Sequence, residues 1–295
     1  MNRSITAAPA TTALLCAAMA LPAAATPTPF FFSTGNPDGK IATLSRTAST
    51  GKLETETADD FVTTEATNIT DATFTGLIVG GATAANVKDV EIELYHVFPI
   101  DSVSPPDGRV LTRTNSPSDN NFAAADANQG QLTFTTKLLS TAFTAANSVV
   151  NGINPQPQFT GGEGAVTGQE VEFDVHFTSP FQLGADHVFF RPEVDLGSAG
   201  DFLWLSAPKP IVSPGTPFDN PALDLQTWIR NDGTGALAPD WSRIGTDITH
   251  EGPFNAAFTL TGLVVPEPSS LLLLGFGGVL LAGVRSRFRA KSRLN

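Results

Sequence analysis

The chain has 295 residues with Lys+Arg 17, Asp+Glu 29 and a formal net charge of -12, long enough to bury a sizeable core in one large domain or two smaller ones. Residues 26 to 265 alone hold 11 basic and 28 acidic side chains, and such an acidic body repels phosphate backbones, which argues against nucleic acid as a partner. Cys16 is the only cysteine and falls in the N-terminal apolar run, so no disulfide, thiolate metal site or cysteine nucleophile is expected in a chain that loses this run.

The first 25 residues read as a secretory signal peptide. Arg3 supplies the positive start, Thr11 to Leu21 is mainly apolar, and Ala23 and Ala25 give a small-x-small cleavage site, so the mature chain is expected to begin near Thr26. From 26 to 264 the hydrophobic period is two rather than 3.6. Val171, Phe173, Val175 and Phe177 alternate with Glu172, Asp174, His176 and Thr178, and Val90, Ile92 and Leu94 alternate with Glu91, Glu93 and Tyr95. Phe254, Ala256, Phe258 and Leu260 make a third such face, with further strands expected at Asp71 to Val79, Gln131 to Thr136, His187 to Arg191 and Phe202 to Ser206. Short strands with Gly/Pro-rich connections predict a mainly β fold, a single β-sandwich of jelly-roll type over 26–264. One short helix is expected after Asp219-Asn220-Pro221, where a cap precedes Pro at the first helical position and Ala222, Leu225, Trp228 and Ile229 share a face. Three connections, Pro99 to Gly130, Ala145 to Gln169 and Ala207 to Pro221, are long enough to suggest binding or mobile loops.

Chemistry is harder to read. Glu91 with Glu93 and Glu172 with Asp174 have strand spacing that puts each pair on one face, but it is the face opposite the apolar one, where solvated carboxylates make poor glycosidase pairs. Asp59 and Asp60, expected at a strand edge, could offer an oxygen to Ca²⁺, yet no spaced Asp/Asn/Gly ligand loop accompanies them. His96, His176, His187 and His250 are scattered, without HxH or HExxH spacing, and no GxSxG elbow is present. No catalytic residue, metal or cofactor is therefore assigned. Trp204, Trp228 and Trp241, with Tyr95, are the aromatics that could stack on a sugar if exposed.

The C-terminus is the most specific segment. Pro266-Glu267-Pro268 is followed by Leu271 to Val284, 14 residues without charge, and then by Arg285, Arg287, Arg289, Lys291 and Arg293. As a helix the apolar run is about 21 Å long against a hydrocarbon core of about 30 Å. Ser269 and Ser270 can extend it and Arg285 and Arg287 can snorkel, giving an expected transmembrane helix over about 269–285. The basic stop at Arg285, Arg287 and Arg289 stays cytoplasmic and leaves 26–265 outside. The two prolines keep the tripeptide extended, and Glu267 resists entry into lipid.

Pro266-Glu267-Pro268, a Leu/Gly-rich span and an Arg-rich end, in that order over residues 265–295, resemble the PEP-CTERM sorting signal of exported bacterial proteins. The resemblance implies recognition by an exosortase, a membrane-embedded processing enzyme, a precursor transiently anchored in the inner membrane, and delivery to the cell surface or extracellular exopolysaccharide matrix. The same tail is also known as an ice-binding protein C-terminal domain. The body's threonine pairs Thr73/Thr75, Thr133/Thr135 and Thr259/Thr261 follow no fixed period in sequence, so that name is taken to describe the tail alone. The stretches from Gly200 to Pro208 and from Arg243 to Asp247 resemble an uncharacterised group of exported bacterial proteins, which implies no activity. The expected role is a non-enzymatic surface or matrix protein linked to exopolysaccharide, with a carbohydrate-binding module or weak glycan-active enzyme as the alternative.

Overall fold

The computed structural model describes residues 26–49, 51–100, 112–150, 160–231 and 241–265. The leader, the Pro-Glu-Pro motif, the apolar span at about 269–285 and the basic tail lie outside the described residues. Period-two patterning is realised as sixteen strands: β1 (Thr28–Ser33), β2 (Ile41–Leu44), β3 (Thr55–Thr63), β4 (Thr67–Val79), β5 (Asp89–Phe98), β6 (Ser116–Pro117), β7 (Ala123–Asp126), β8 (Leu132–Ala145), β9 (Asn147–Val149), β10 (Val166–Leu183), β11 (Asp186–Asp195), β12 (Asp201–Ala207), β13 (Trp228–Asn231), β14 (Ser242–Arg243), β15 (Asn255–Ala256) and β16 (Phe258–Val264).

Two sheets pack together, and β4 is the hub of the first. β10 and then β8 run along one side of it; on the other side β16 and β1 flank its first half, while β12, β2 and β9 flank its second. The second sheet has the order β14-β13-β3-β11-β5-β6, with β7 also on β5. Pairing is antiparallel except between β2 and β9. The strands that open and close this compact unit pair with each other, Thr28 opposite Val264. No helix among the described residues is long and apolar enough to cross a membrane.

The alternation on β10 decides which face is core. Val171, Phe173, Val175 and Phe177 are at most 2% exposed and join Phe74, Phe202 and Trp204 of the first sheet with Phe61, Ile92, Leu94 and Phe190 of the second. The space between the sheets is filled by rings: Phe74 stacks on Phe173 at 4.8 Å, and Phe190 stacks on Phe258 at 5.1 Å. Trp204 meets both Phe190 and Phe258 edge-on, and its indole N–H donates to the Ala257 carbonyl at 2.9 Å. Each buried aromatic contributes on the order of 1.5–3 kcal/mol, so this layer carries much of the fold's stability.

The structure changes two expectations. Asn220 does cap, its side chain accepting the Ala222 N–H at 3.1 Å, but the helix stops after one 3₁₀ turn, Pro221–Leu223. The chain then extends into β13, because pairing with β3 sends Trp228 to the outer cluster with Tyr95 and Ile229 to a separate inner one, and a helix would have put them on one face. The long connections also carry strands. β6 and β7 lie in the first and β9 in the second, while β8 and β10 extend to 14 and 18 residues.

Gly76 sits where β12 replaces β16 beside β4, opposite Trp204. A Cβ there would lie 2.3 Å from the Phe202 ring and 2.5 Å from the Leu203 carbonyl oxygen. The backbone contact cannot be relieved by a side-chain rotation. Gly76→Ala is therefore expected to destabilise the protein by about 3 kcal/mol or more, read as a lowered urea midpoint with an unchanged m-value.

Candidate functional site

The outer face of the second sheet concentrates charge. Alternation along β3, β5, β11 and β13 sends Glu56, Glu93, Arg191 and Arg230 outward, and the register sets Arg230 opposite Glu56 and Arg191 opposite Glu93. Arg191 is 1% exposed and acts as the hub. Its Nη2 lies 3.0 Å from Glu56 and also contacts Glu93, and its Nη1 lies 2.6 Å from Glu193. Arg230 pairs with Glu56 through Nε, donates to the Asp119 carbonyl at 2.9 Å, and stacks over Trp241 at 4.5 Å. The Tyr95 hydroxyl lies against both acids, 2.9 Å from Glu56 and also touching Glu93, and its one proton is shared between them.

Burial pushes Glu56 up, but Arg191, Arg230 and the Tyr95 hydroxyl outweigh it and hold the acid below its ordinary range. Glu193 goes the other way: burial, helped by Glu54, Glu56 and Glu91, raises it well above that range despite Arg191. The network thus shifts its two most buried glutamates in opposite directions, Glu56 down between two guanidinium groups and Glu193 up by burial among neighbouring acids. Above it lies a cleft of about 300 Å³ lined also by Glu54, Asn120 and Asn121. Oxygens of Glu54, Glu56 and Glu193 come within 4.8 Å of one another, the spacing of a metal cage. Arg191 already occupies the centre of that acidic group, so its guanidinium supplies the positive charge a cation would bring.

These contacts correct the sequence reading of Glu93. It is not a freely solvated face residue; its side chain is 12% exposed and tied to Arg191 and Tyr95. The aromatic candidates are corrected as well. Trp204, Trp228 and Trp241 are 0%, 1% and 0% exposed and Tyr95 is 2% exposed, so none offers a ring face to a sugar. Apolar rings on an outer strand face are buried here because the segments bearing Asp119 and Trp241 cover that face.

A second polar network surrounds Asp59 and Asp60, which lie inside β3 rather than at a solvated edge and are 0% and 2% exposed. Asp60 accepts from the Leu225 N–H at 3.2 Å and meets His187 Nε2 at 2.8 Å. Asp59 accepts from the Ala256 N–H at 2.8 Å. Its other oxygen lies 3.3 Å from the Thr227 hydroxyl, whose single proton has a better acceptor in the Phe254 carbonyl at 2.9 Å. A protonated Asp59 satisfies both, donating to Thr227. Burial, reinforced by Asp60, raises Asp59 well above the ordinary carboxylate range. These carboxylates fasten β3 to the segments at 225 and 256, and neither is presented to a solvated cation.

The first sheet exposes a different surface. Its register aligns two rows across five strands, Phe31–Thr261–Asp71–His176–Thr133 and Ser33–Thr259–Thr73–Asp174–Thr135. The three threonine pairs that look isolated in sequence thus share one face, interrupted by Asp71 of β4 and by His176 and Asp174 of β10. Asp71 is fixed by the Thr70 hydroxyl at 2.6 Å and His176 Nδ1 at 2.7 Å. Partial burial raises Asp71, but these bonds prevail and hold it below the ordinary range. Glu172, beside this row, pairs with Lys137 at 3.1 Å.

Residues 264–289 match the PEP-CTERM protein-sorting motif, which spans Pro266, Glu267 and Pro268 and the basic stop at Arg285, Arg287 and Arg289. The match identifies an exported protein processed by exosortase. No curated protein and no solved structure matches the chain.

The networks give two expected outcomes. Arg191→Ala leaves Glu56, Glu93 and Glu193 buried without their shared cation and should cost about 3–5 kcal/mol; Arg191→Lys should recover little of it, because one ammonium cannot reach acids on both sides of a planar fork. Urea unfolding of both variants checks this. For Asp59, a folded-state pKa above the unfolded value means that its contribution is full below about pH 4 and is lost as pH rises through the folded value. Asp59→Asn can accept from Ala256 and donate to Thr227 without titrating. Its unfolding free energy should exceed that of the wild type at pH 8 and fall less steeply from pH 4 to 8.

Proposed function

We propose that this protein is a non-enzymatic component of the cell surface or extracellular matrix, anchored in the inner membrane as a precursor and associated with exopolysaccharide once exosortase has released it. The observation that carries the interaction role is the uncovered five-strand face with its rows of hydroxyl and carboxylate groups. A surface covered with short hydrogen-bonding side chains suits a hydrated, polyhydroxylated partner. The non-enzymatic reading is supported by the state of the strongest acids. Glu56 and Glu93 are held by arginines, and Asp59, Asp60 and Glu193 are sealed from solvent, whereas a glycosidase needs two carboxylates free to face one sugar.

The sorting step has a geometric condition. Val264 ends β16, and Val265 still donates its N–H to the Ala66 carbonyl at 2.7 Å, immediately before Pro266. The processing motif therefore follows the β unit with no spacer. By sequence, an apolar run too short to be a comfortable permanent anchor, a basic stop and a proline-flanked motif expected at the outer interface together suit a temporary anchor.

Replacing Pro266, Glu267 and Pro268 with alanine should leave the apolar run intact, abolish processing and hold the protein in the membrane fraction. Mass spectrometry of wild-type surface material should find residues beyond about Pro268 missing. Retention of Arg285 to Asn295 on released protein, or normal release of the triple-alanine variant, would refute the assignment.

A further inference from the structure

We infer that the outer face of β1, β16, β4, β10 and β8 is a binding site for an extended, uncharged polysaccharide that runs across the strands, with one sugar ring stacked on Phe31. This rests on the exopolysaccharide reading above and assigns it a site and a ligand class.

Strand spacing is the first argument. Neighbouring strands lie about 4.8 Å apart, close to the length of one pyranose unit in an extended β-linked chain. A chain laid along the row from Phe31 to Thr133 therefore meets one strand, and one outward side chain, per sugar. The row supplies what such a chain needs: a ring at one end, then a hydroxyl, a carboxylate, an imidazole and a second hydroxyl. Phe31 is 56% exposed, which is the ring platform that the buried tryptophans cannot provide.

The groups are also set in place before any ligand arrives. Asp71 is clamped by Thr70 and His176, and threonines have little rotamer freedom to lose. The face is not wholly flat. A depression of about 240 Å³ lies between Asp71, Thr133, Asp174 and His176, and a second of about 230 Å³ is lined by Ser33, Thr73 and Thr259.

Charge selects among glycans. Asp71 and Asp174 face the ligand, and the lysine on this surface, Lys137, is paired with Glu172. The surrounding body is strongly acidic as well. A uronate, sulfate or phosphate on the ligand would be repelled from both rows, whereas neutral hydroxyls can donate to the carboxylates and accept from the threonines.

The test is affinity electrophoresis of the detergent-solubilised full chain. Gels would contain hydroxyethyl cellulose, carboxymethyl cellulose with the same backbone but anionic substituents, or exopolysaccharide purified from the producing cells. Retardation by the neutral polymer at least about tenfold stronger than by the anionic one is expected, about 1.4 kcal/mol in affinity. Phe31→Ala and the double variant Thr73→Val with Thr259→Val should each weaken it by about tenfold at unchanged melting temperature, while Phe31→Tyr should bind as the wild type does. Wild-type binding that survives in the folded Phe31 and threonine variants, or that prefers the anionic polymer, would overturn this site while leaving the exopolysaccharide reading standing. Absence of retardation by all three polymers would overturn both.

Discussion

A buried guanidinium cannot be left without counter-charges, and Arg191 satisfies this requirement by drawing three strands together. Glu56 on β3 and Glu93 on β5 flank it, and Glu193 follows it on β11. Glu56 in turn holds Arg230, which ties in β13 and lays its cation over Trp241. Because the fork geometry fixes the angle of each contact, the network specifies the lateral order of the second sheet and the placement of the segment that covers it. Five glutamates, counting Glu54 and Glu91, surround two arginines, and burial raises the deepest acid, Glu193, well above the ordinary carboxylate range despite Arg191.

The two sheets use the same alternation to opposite ends. On the second, outward residues are large or charged and are covered, so the face becomes a second, mixed core with Trp228, Phe189 and Tyr95. On the first, outward residues over the paired rows are mostly short and polar and, apart from the buried Ser33, stay at least partly exposed among the described residues. The division follows β4, whose first half lies under this open face and whose second half carries Leu77 into a small apolar cluster with Leu44, Leu203 and Leu205. Gly76 marks the change, where the approach of Phe202 and the Leu203 carbonyl leaves no room for a side chain.

The pairing of β1 with β16 relates the fold to its export. The first and last strands of the unit hydrogen-bond to each other, so Thr28 and Val264 lie side by side at one end of the sheet. On the other side of β16, the Val265 N–H bonded to the Ala66 carbonyl carries the β16–β4 pairing to the residue before Pro266. Among the described residues the ladder therefore runs up to the residue where the signal begins.

The sequence by itself determined the class of fold and the sorting signal. Period-two alternation on β10, β5 and β16 has one structural meaning, because successive strand side chains point to opposite faces, and the ordered motif, apolar run and basic end form a local signal whose parts adjoin in the chain. Tertiary structure alone decided the sites. Asp59 and Asp60 look like edge carboxylates until β13 and the segment at Ala256 close over them, and Trp228 looks helical until pairing with β3 overrides the cap at Asn220. Arg191 and Arg230 give no signal in sequence, being single charges 39 positions apart whose partners come from strands at 56 and 93. The threonine pairs at 73, 133 and 259 have no common period because the strands that align them are joined in an order that only the folded sheet reveals. Burial and lateral register are properties of the assembled sheets, and neither is written in any one strand.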